Sequence, residues 1–65
     1  MKTLEIGSLV RARISLSTID KGEIGIVVRK FGDAQFEDVD APLYHILFGE
    51  KMGLMIPDYV EVIDG

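Results

Sequence analysis

The chain has 65 residues, no cysteine, one histidine and a formal net charge of −4, and apolar residues make up 48% of it. This length fits a single domain, residues 1–65, with a small core, and the absence of cysteine excludes disulfide bonds and cysteine-ligated zinc sites. An acidic chain is not expected to present one large basic face to nucleic acid, although a local basic patch stays open.

The N-terminal sequence, MKTLEIG, lacks the apolar run of a signal peptide. No stretch of the chain approaches the ~20 apolar residues of a membrane span. We therefore expect a cytoplasmic protein with no membrane partner. With no cysteine and a single histidine, we also expect no metal site, and we expect no cofactor.

The first half of the chain predicts two strands. Residues 8–16, SLVRARISL, alternate apolar and polar side chains, which is the pattern of a half-buried strand. A polar turn at residues 17–22 ends in Gly22, which can adopt a positive φ. Residues 23–31, EIGIVVRKF, are almost continuously apolar, as in a strand covered on both sides. Gly25 indicates a bulge or a place where another backbone comes close.

The middle of the chain predicts an acidic loop followed by a third strand. Residues 32–42, GDAQFEDVDAP, predict a mobile hairpin loop, in which Phe36 and Val39 either pack onto the domain or wait for a partner. Whether this loop orders on binding is left open. In residues 43–50, LYHILFGE, alternation places Tyr44, Ile46 and Phe48 on one face and His45 and Leu47 on the other.

The C-terminal residues predict two short strands separated by a 3₁₀ turn. GEKMG at 49–53 predicts a tight turn, LMIP at 54–57 a fourth strand, and VEVI at 60–63 a fifth. Proline favours the first position of a helical turn, so PDYV predicts one 3₁₀ turn. Ile56 and Val60 are expected to point inward, with Tyr59 bracing the turn.

Three segments together resemble SH3-like small barrels. DKGEIGIVV (20–28) resembles the turn and strand of KOW-type modules and of short bacterial and bacteriophage barrel proteins, and LYHILFGE resembles the strand that follows their variable loop. GLMIPDYVEVI (53–63) is similar to the end of SH3 domains. The resemblance implies an all-β, five-stranded SH3-like barrel with a short 3₁₀ turn before the last strand.

The chain departs from the SH3 domains that bind proline-rich peptides. It has no tryptophan, and one residue separates Pro57 from Tyr59 where those domains usually have two. We therefore do not expect the aromatic groove that accepts polyproline ligands.

KOW-type barrels often contact RNA, which implies an alternative function as a nucleic-acid-associated barrel. Arg11, Arg13, Arg29 and Lys30 would supply it, because pairing of the first two strands would join them in one basic strip. A solvated charged face is the simpler interpretation of the same residues.

Catalysis is not expected, since His45 is the only histidine and a barrel this small fills its interior with side chains. The sequence instead favours a non-catalytic protein–protein interaction module or a small accessory subunit of a larger assembly. Two interpretations of strand two stay open: it exposes Ile24, Ile26 or Val28, or the curvature of a barrel covers both of its faces. The predicted protein interface consists of Leu47, Met52, Met55 and Tyr59, and its partner is another protein or a second copy of the chain.

Overall fold

The computed structural model describes residues 3–36 and 39–63, and the side chains of residues 34–36, 39 and 40 are not described. Within this part the protein is all-β, as predicted, and its one helical segment is a 3₁₀ turn before the last strand. The elements in chain order are β1 (Leu9–Ala12), β2 (Ile24–Phe36), β3 (Val39–Phe48), β4 (Lys51–Met55), η1 (Pro57–Tyr59) and β5 (Val60–Val62).

The five strands form one antiparallel sheet in the order β4-β3-β2-β1-β5. β1 lies between β2 and β5, so that Val10 is opposite Gly25 on one side and Val62 on the other. β3 lies between β2 and β4, with Ile46 opposite Val27 and Gly53. The strands nearest the two chain ends are therefore neighbours in the sheet.

The prediction of an irregular loop at residues 32–42 is wrong for the described part of that segment. β2 and β3 continue as a paired hairpin from Gly32 opposite Leu43 to Phe36 opposite Val39. Pairing gives the backbone groups of this acidic segment hydrogen-bond partners that an irregular loop would lack. Residues 37 and 38, and the side chains of Phe36 and Val39, lie outside the described residues.

The predicted turn at residues 49–53 is too long. β4 begins at Lys51, which pairs with Phe48, so that only Gly49 and Glu50 make the reversal. Gly49 adopts a φ of 63°, as two-residue hairpin turns commonly require. Met52 and Gly53 are consequently strand residues.

The core lies on one face of the sheet and contains the residues predicted from the third strand. Tyr44, Ile46 and Phe48 point into it from β3, and each is 4% exposed or less. The same core cluster contains Val10, Ala12, Ile19, Val27, Met55 and Val60. Gly25 pairs with Val10 without a register shift, so the predicted bulge is wrong. An added Cβ at Gly25 would lie 2.7 Å from Cδ1 of Phe48 and 2.9 Å from Cγ2 of Ile46, so its close neighbours are side chains and not the backbone that the sequence predicted.

The C-terminal turn follows its prediction. Pro57 is buried at the start of η1, and the backbone N–H of Val60 donates to the carbonyl of Pro57. Tyr59 is half-buried and packs against the core, and its carbonyl accepts a hydrogen bond from the N–H of Arg13 at 2.7 Å. Val60 points inward as predicted, being 3% exposed, whereas Ile56 is only half-buried.

Candidate functional site

A row of apolar side chains crosses the sheet on the face opposite the core. Ile26 of β2 is opposite Leu9 of β1 and Leu47 of β3, and Leu47 is opposite Met52 of β4. The N–H of Ile63 donates to the carbonyl of Leu9 at 3.0 Å, which places Ile63 at the β1 end of this row. Opposed residues on neighbouring strands share a face, so the row spans the whole sheet.

This row is exposed and not part of the core. Leu9 is 41%, Ile26 39%, Met52 54% and Ile63 37% exposed, while Leu47 is half-buried. Their sequence neighbours Val10 and Val27 are at most 1% exposed, because alternation turns them to the other face.

Three further apolar side chains flank the row. Ile24 and Val28 of β2 are 47% and 40% exposed, and Leu54 of β4 is 46% exposed. A register shift between Val27 and Arg29 leaves Val28 unpaired, as in a β-bulge. We call this surface the outer apolar face; it consists of Leu9, Ile24, Ile26, Val28, Leu47, Met52, Leu54 and Ile63.

The four predicted interface residues do not lie together on one surface. Leu47 and Met52 are direct neighbours on the outer apolar face. Met55 is 0% exposed, so its predicted place on a surface patch is wrong: Met52 and Met55 are three positions apart on β4 and point to opposite faces. Tyr59 follows β4 in η1 and packs against the core.

Of the two interpretations of β2, exposure of one face is confirmed and coverage of both faces is wrong. Three other members of the outer apolar face were missed from the sequence. Ile24, Ile26 and Val28 are all exposed. Leu9 and Leu54 carry a signal that alternation could have found, since each is one residue from a buried neighbour, Val10 or Met55. Ile63 carried no comparable signal, because its place depends on the register of β5 against β1.

One end of the outer apolar face carries a cluster of an arginine, a histidine and an aromatic ring. Nε of Arg29 donates to Nδ1 of His45 at 2.9 Å. The ring centroids of Phe31 and His45 are 4.9 Å apart, and the Arg29 guanidinium carbon lies 5.9 Å from the Phe31 ring centroid. Nδ1 of His45 must be unprotonated to accept this bond.

The predicted basic strip is not continuous. β1 and β2 pair as expected, but Arg11 is opposite Ile24, so Arg29 lies five residues farther along β2. At about 3.3 Å per residue this separates the two arginines by about 16 Å. Arg11 and Arg13 lie instead beside Lys21 at the other end of β1, around an open cleft of about 400 Å³.

A lysine links the turn before β2 to β4. Nζ of Lys51 lies 2.9 and 3.0 Å from the two carboxylate oxygens of Glu23, and donates to the carbonyl of Thr18 at 2.7 Å. The hydrogen bond from Lys51 lowers the pKa of Glu23, and the N–H of Asp20 at 2.8 Å lowers it further. This site ties the loop to the sheet.

Within residues 3–36 and 39–63 no group of three or more histidine and acidic side chains is placed to hold a metal ion. In the same part of the chain no helix has the length and apolar character needed to cross a membrane. Comparison of the chain with protein-family models, curated proteins and solved structures found no match.

Proposed function

We propose that this protein is a non-catalytic interaction module or accessory subunit that binds another protein through the outer apolar face. The observation that carries the proposal is the row of Leu9, Ile26, Leu47, Met52 and Ile63, with one apolar residue from each strand or its immediate end. A contiguous exposed apolar surface of this kind is typical of binding sites, whereas scattered apolar residues are normal on any surface.

The size of the molecule is compatible with a stable interface on this face. The chain exposes 4384 Å² in total, and its two largest dimensions are 32 and 24 Å. A standard interface buries about 800 Å² per partner, which is about a fifth of that surface. One broad face of the sheet can supply such an area, with Met52 as an adaptable contact.

The charges beside the face favour a foreign partner over a second copy. Arg29 borders the outer apolar face at one end, and Arg11 borders it at the other end together with Glu61, its ion-pair partner on β5, although the chain as a whole has a net charge of −4. A twofold dimer would place the same surface, with the same two arginines, on both sides of the interface. A partner with acidic groups around an apolar patch would complement these charges.

The proposal is tested by site-specific photo-crosslinking in the native host. A photoreactive benzoylphenylalanine replaces Met52 in one variant and Ile14 in the control; Ile14 is 37% exposed and lies outside the outer apolar face. We expect a protein adduct from position 52 that is absent from position 14. The captured protein is then purified and its affinity for the chain is measured directly.

Binding of the purified partner separates the proposal from non-specific capture. We expect Met52→Asp or Leu54→Asp to weaken binding by about tenfold or more, since a buried unpaired charge costs more than 1.4 kcal/mol. The matched control Ile14→Asp adds the same charge at an exposed isoleucine outside the outer apolar face and should have little effect. Equal loss in all three variants, or an adduct that contains only a second copy of the chain, would overturn the proposal.

A further inference from the structure

Three basic residues line the open cleft at the end of β1. Arg11, Arg13, Lys21 and Gly22 line it, together with Glu61 from β5. The backbone fixes this arrangement: the N–H of Gly22 donates to the carbonyl of Ala12 at 2.8 Å, and the N–H of Lys21 donates to Oγ of Ser15 at 3.0 Å. The turn that carries Lys21 is therefore held against β1.

The positive charge in this cleft exceeds what the lining can neutralise. Nη1 of Arg11 lies 3.4 Å from Oε1 of Glu61, and both side chains are about half exposed. Within the described part of the chain no carboxylate pairs with Arg13 or Lys21. The cleft is therefore lined by three cationic residues and one carboxylate, which is an excess of two positive charges.

The cleft adjoins the outer apolar face. Arg11 is directly opposite Ile24, and Leu9 lies two residues before Arg11 on the same face of β1. Two residues of a strand span about 7 Å. A partner that covers Leu9 and Ile24 would therefore bring its neighbouring side chains to the cleft.

We infer that the cleft of Arg11, Arg13 and Lys21 binds a carboxylate group of the partner, an inference that rests on the proposed function. Arginine side chains can bind carboxylates in a bidentate geometry, and Nη1 of Arg11 already lies 3.4 Å from one carboxylate oxygen of Glu61. A nucleic acid fits less well, because a long polyanion would be repelled by Glu61 in the cleft and by the net charge of −4 of the whole chain.

The test is an NMR titration of the ¹⁵N-labelled full chain with an acetylated, amidated triglutamate peptide at low salt. We expect shifts concentrated at the amides of Arg13, Lys21 and Gly22, and no such shifts with triglutamine. Arg13→Gln with Lys21→Gln should weaken triglutamate binding by about fivefold or more, as expected for loss of two exposed ion pairs. Arg29→Gln with Lys30→Gln removes the same charge outside the cleft and should leave the affinity nearly unchanged.

Several results would overturn the inference. Absence of shifts in the cleft, or equal weakening by both double variants, would mean that no specific site exists. Inorganic phosphate or an eight-residue oligothymidylate binding the cleft more tightly than triglutamate would reject a carboxylate ligand. Triglutamate has no apolar side chain, so its failure to bind would reject the carboxylate site without testing the outer apolar face. The effect of Met52→Asp on binding of the captured partner tests the proposed function separately.

Discussion

The backbone of Gly25 lies directly against the ring of Phe48, so that a Cβ on residue 25 would be 2.7 Å from Cδ1 of that ring and 2.9 Å from Cγ2 of Ile46. Phe48 is 1% exposed and cannot move without disturbing the core. We expect Gly25→Ala to lower the free energy of unfolding by about 1–3 kcal/mol, the usual cost of overpacking. The difference in the free energy of unfolding between wild type and Gly25→Ala is measured by urea titration, with circular dichroism as the signal.

Gly32→Ala is the matched control, because a Cβ at Gly32 would meet no atom within 4 Å. Its effect on the free energy of unfolding should stay within about 0.5 kcal/mol. Similar losses at both positions would show that Phe48 is not the cause.

Truncation to alanine is expected to lower stability much more at Met55 than at Met52, the two methionines of β4. Met55→Ala removes a side chain that is 0% exposed and should cost about 2–5 kcal/mol of unfolding free energy. Met52→Ala removes one that is 54% exposed and should change stability by less than about 0.5 kcal/mol. The same urea titration compares them, and a costly Met52→Ala would contradict the assignment of Met52 to the surface.

Alternation within a strand was predictable from the sequence, but the way strands pair was not. The burial of Tyr44, Ile46 and Phe48 followed from their spacing of two. The separation of Arg11 from Arg29 depends instead on the offset between β1 and β2, which no local pattern of residues specifies.

The predicted strand boundaries were wrong where the residue composition favoured a loop but the sheet supplied a pairing partner. The acids and glycine of residues 32–42 indicated a loop, yet β3 supplies an aligned partner strand for the described residues of that segment. Residue composition reports only local preference, which sheet pairing overrides.

The hydrogen bonds to Glu23 predict a pH dependence of stability. Lys51, and to a lesser degree the N–H of Asp20, lower the pKa of Glu23 in the folded state. A folded pKa below the unfolded value contributes stability at neutral pH, and that contribution is lost as the pH falls through the acidic range, below about 4.3. We expect Glu23→Gln to lose less stability than the wild type between neutral pH and about pH 3.

The matched variant for this pH dependence is Lys51→Gln, which removes the largest cause of the lowered pKa of Glu23. It should also lose less stability than the wild type as the pH falls. If the curves of Glu23→Gln and Lys51→Gln both follow the wild type, the Lys51–Glu23 contact does not contribute in solution.

The hydroxyl of Tyr44 is expected to hold the N-terminal segment. It accepts a hydrogen bond from the N–H of Leu4 at 3.1 Å, and Tyr44 is only 4% exposed. Tyr44→Phe should cost about 0.5–1.5 kcal/mol and speed amide hydrogen exchange at Leu4. Exchange at Ile46, within the sheet, is the internal reference; equal acceleration at Leu4 and Ile46 would indicate a global loss of stability instead.

The Arg29–His45 contact predicts one imidazole tautomer. Because Nε of Arg29 donates to Nδ1 of His45, the neutral ring should carry its proton on Nε2. The ¹⁵N shifts of the imidazole at about pH 8 report this directly. Arg29→Gln should allow the other tautomer to become populated, while Arg11→Gln, which lies beside Ile24, should not; identical spectra for both variants would contradict the contact.

The outer apolar face should bind a hydrophobic dye without its partner. Met52 and Leu54 are both exposed and lie two residues apart on β4, so a pair of aspartates there would interrupt the face with little effect on the core. We expect Met52→Asp with Leu54→Asp to remove most of the fluorescence of bound anilinonaphthalene sulfonate. The double variant Ile14→Asp with Ser17→Asp adds the same two charges at exposed residues outside the outer apolar face, and it corrects for repulsion of the anionic dye. If this control loses as much fluorescence, the dye reports net charge and the eight residues do not act as one apolar surface.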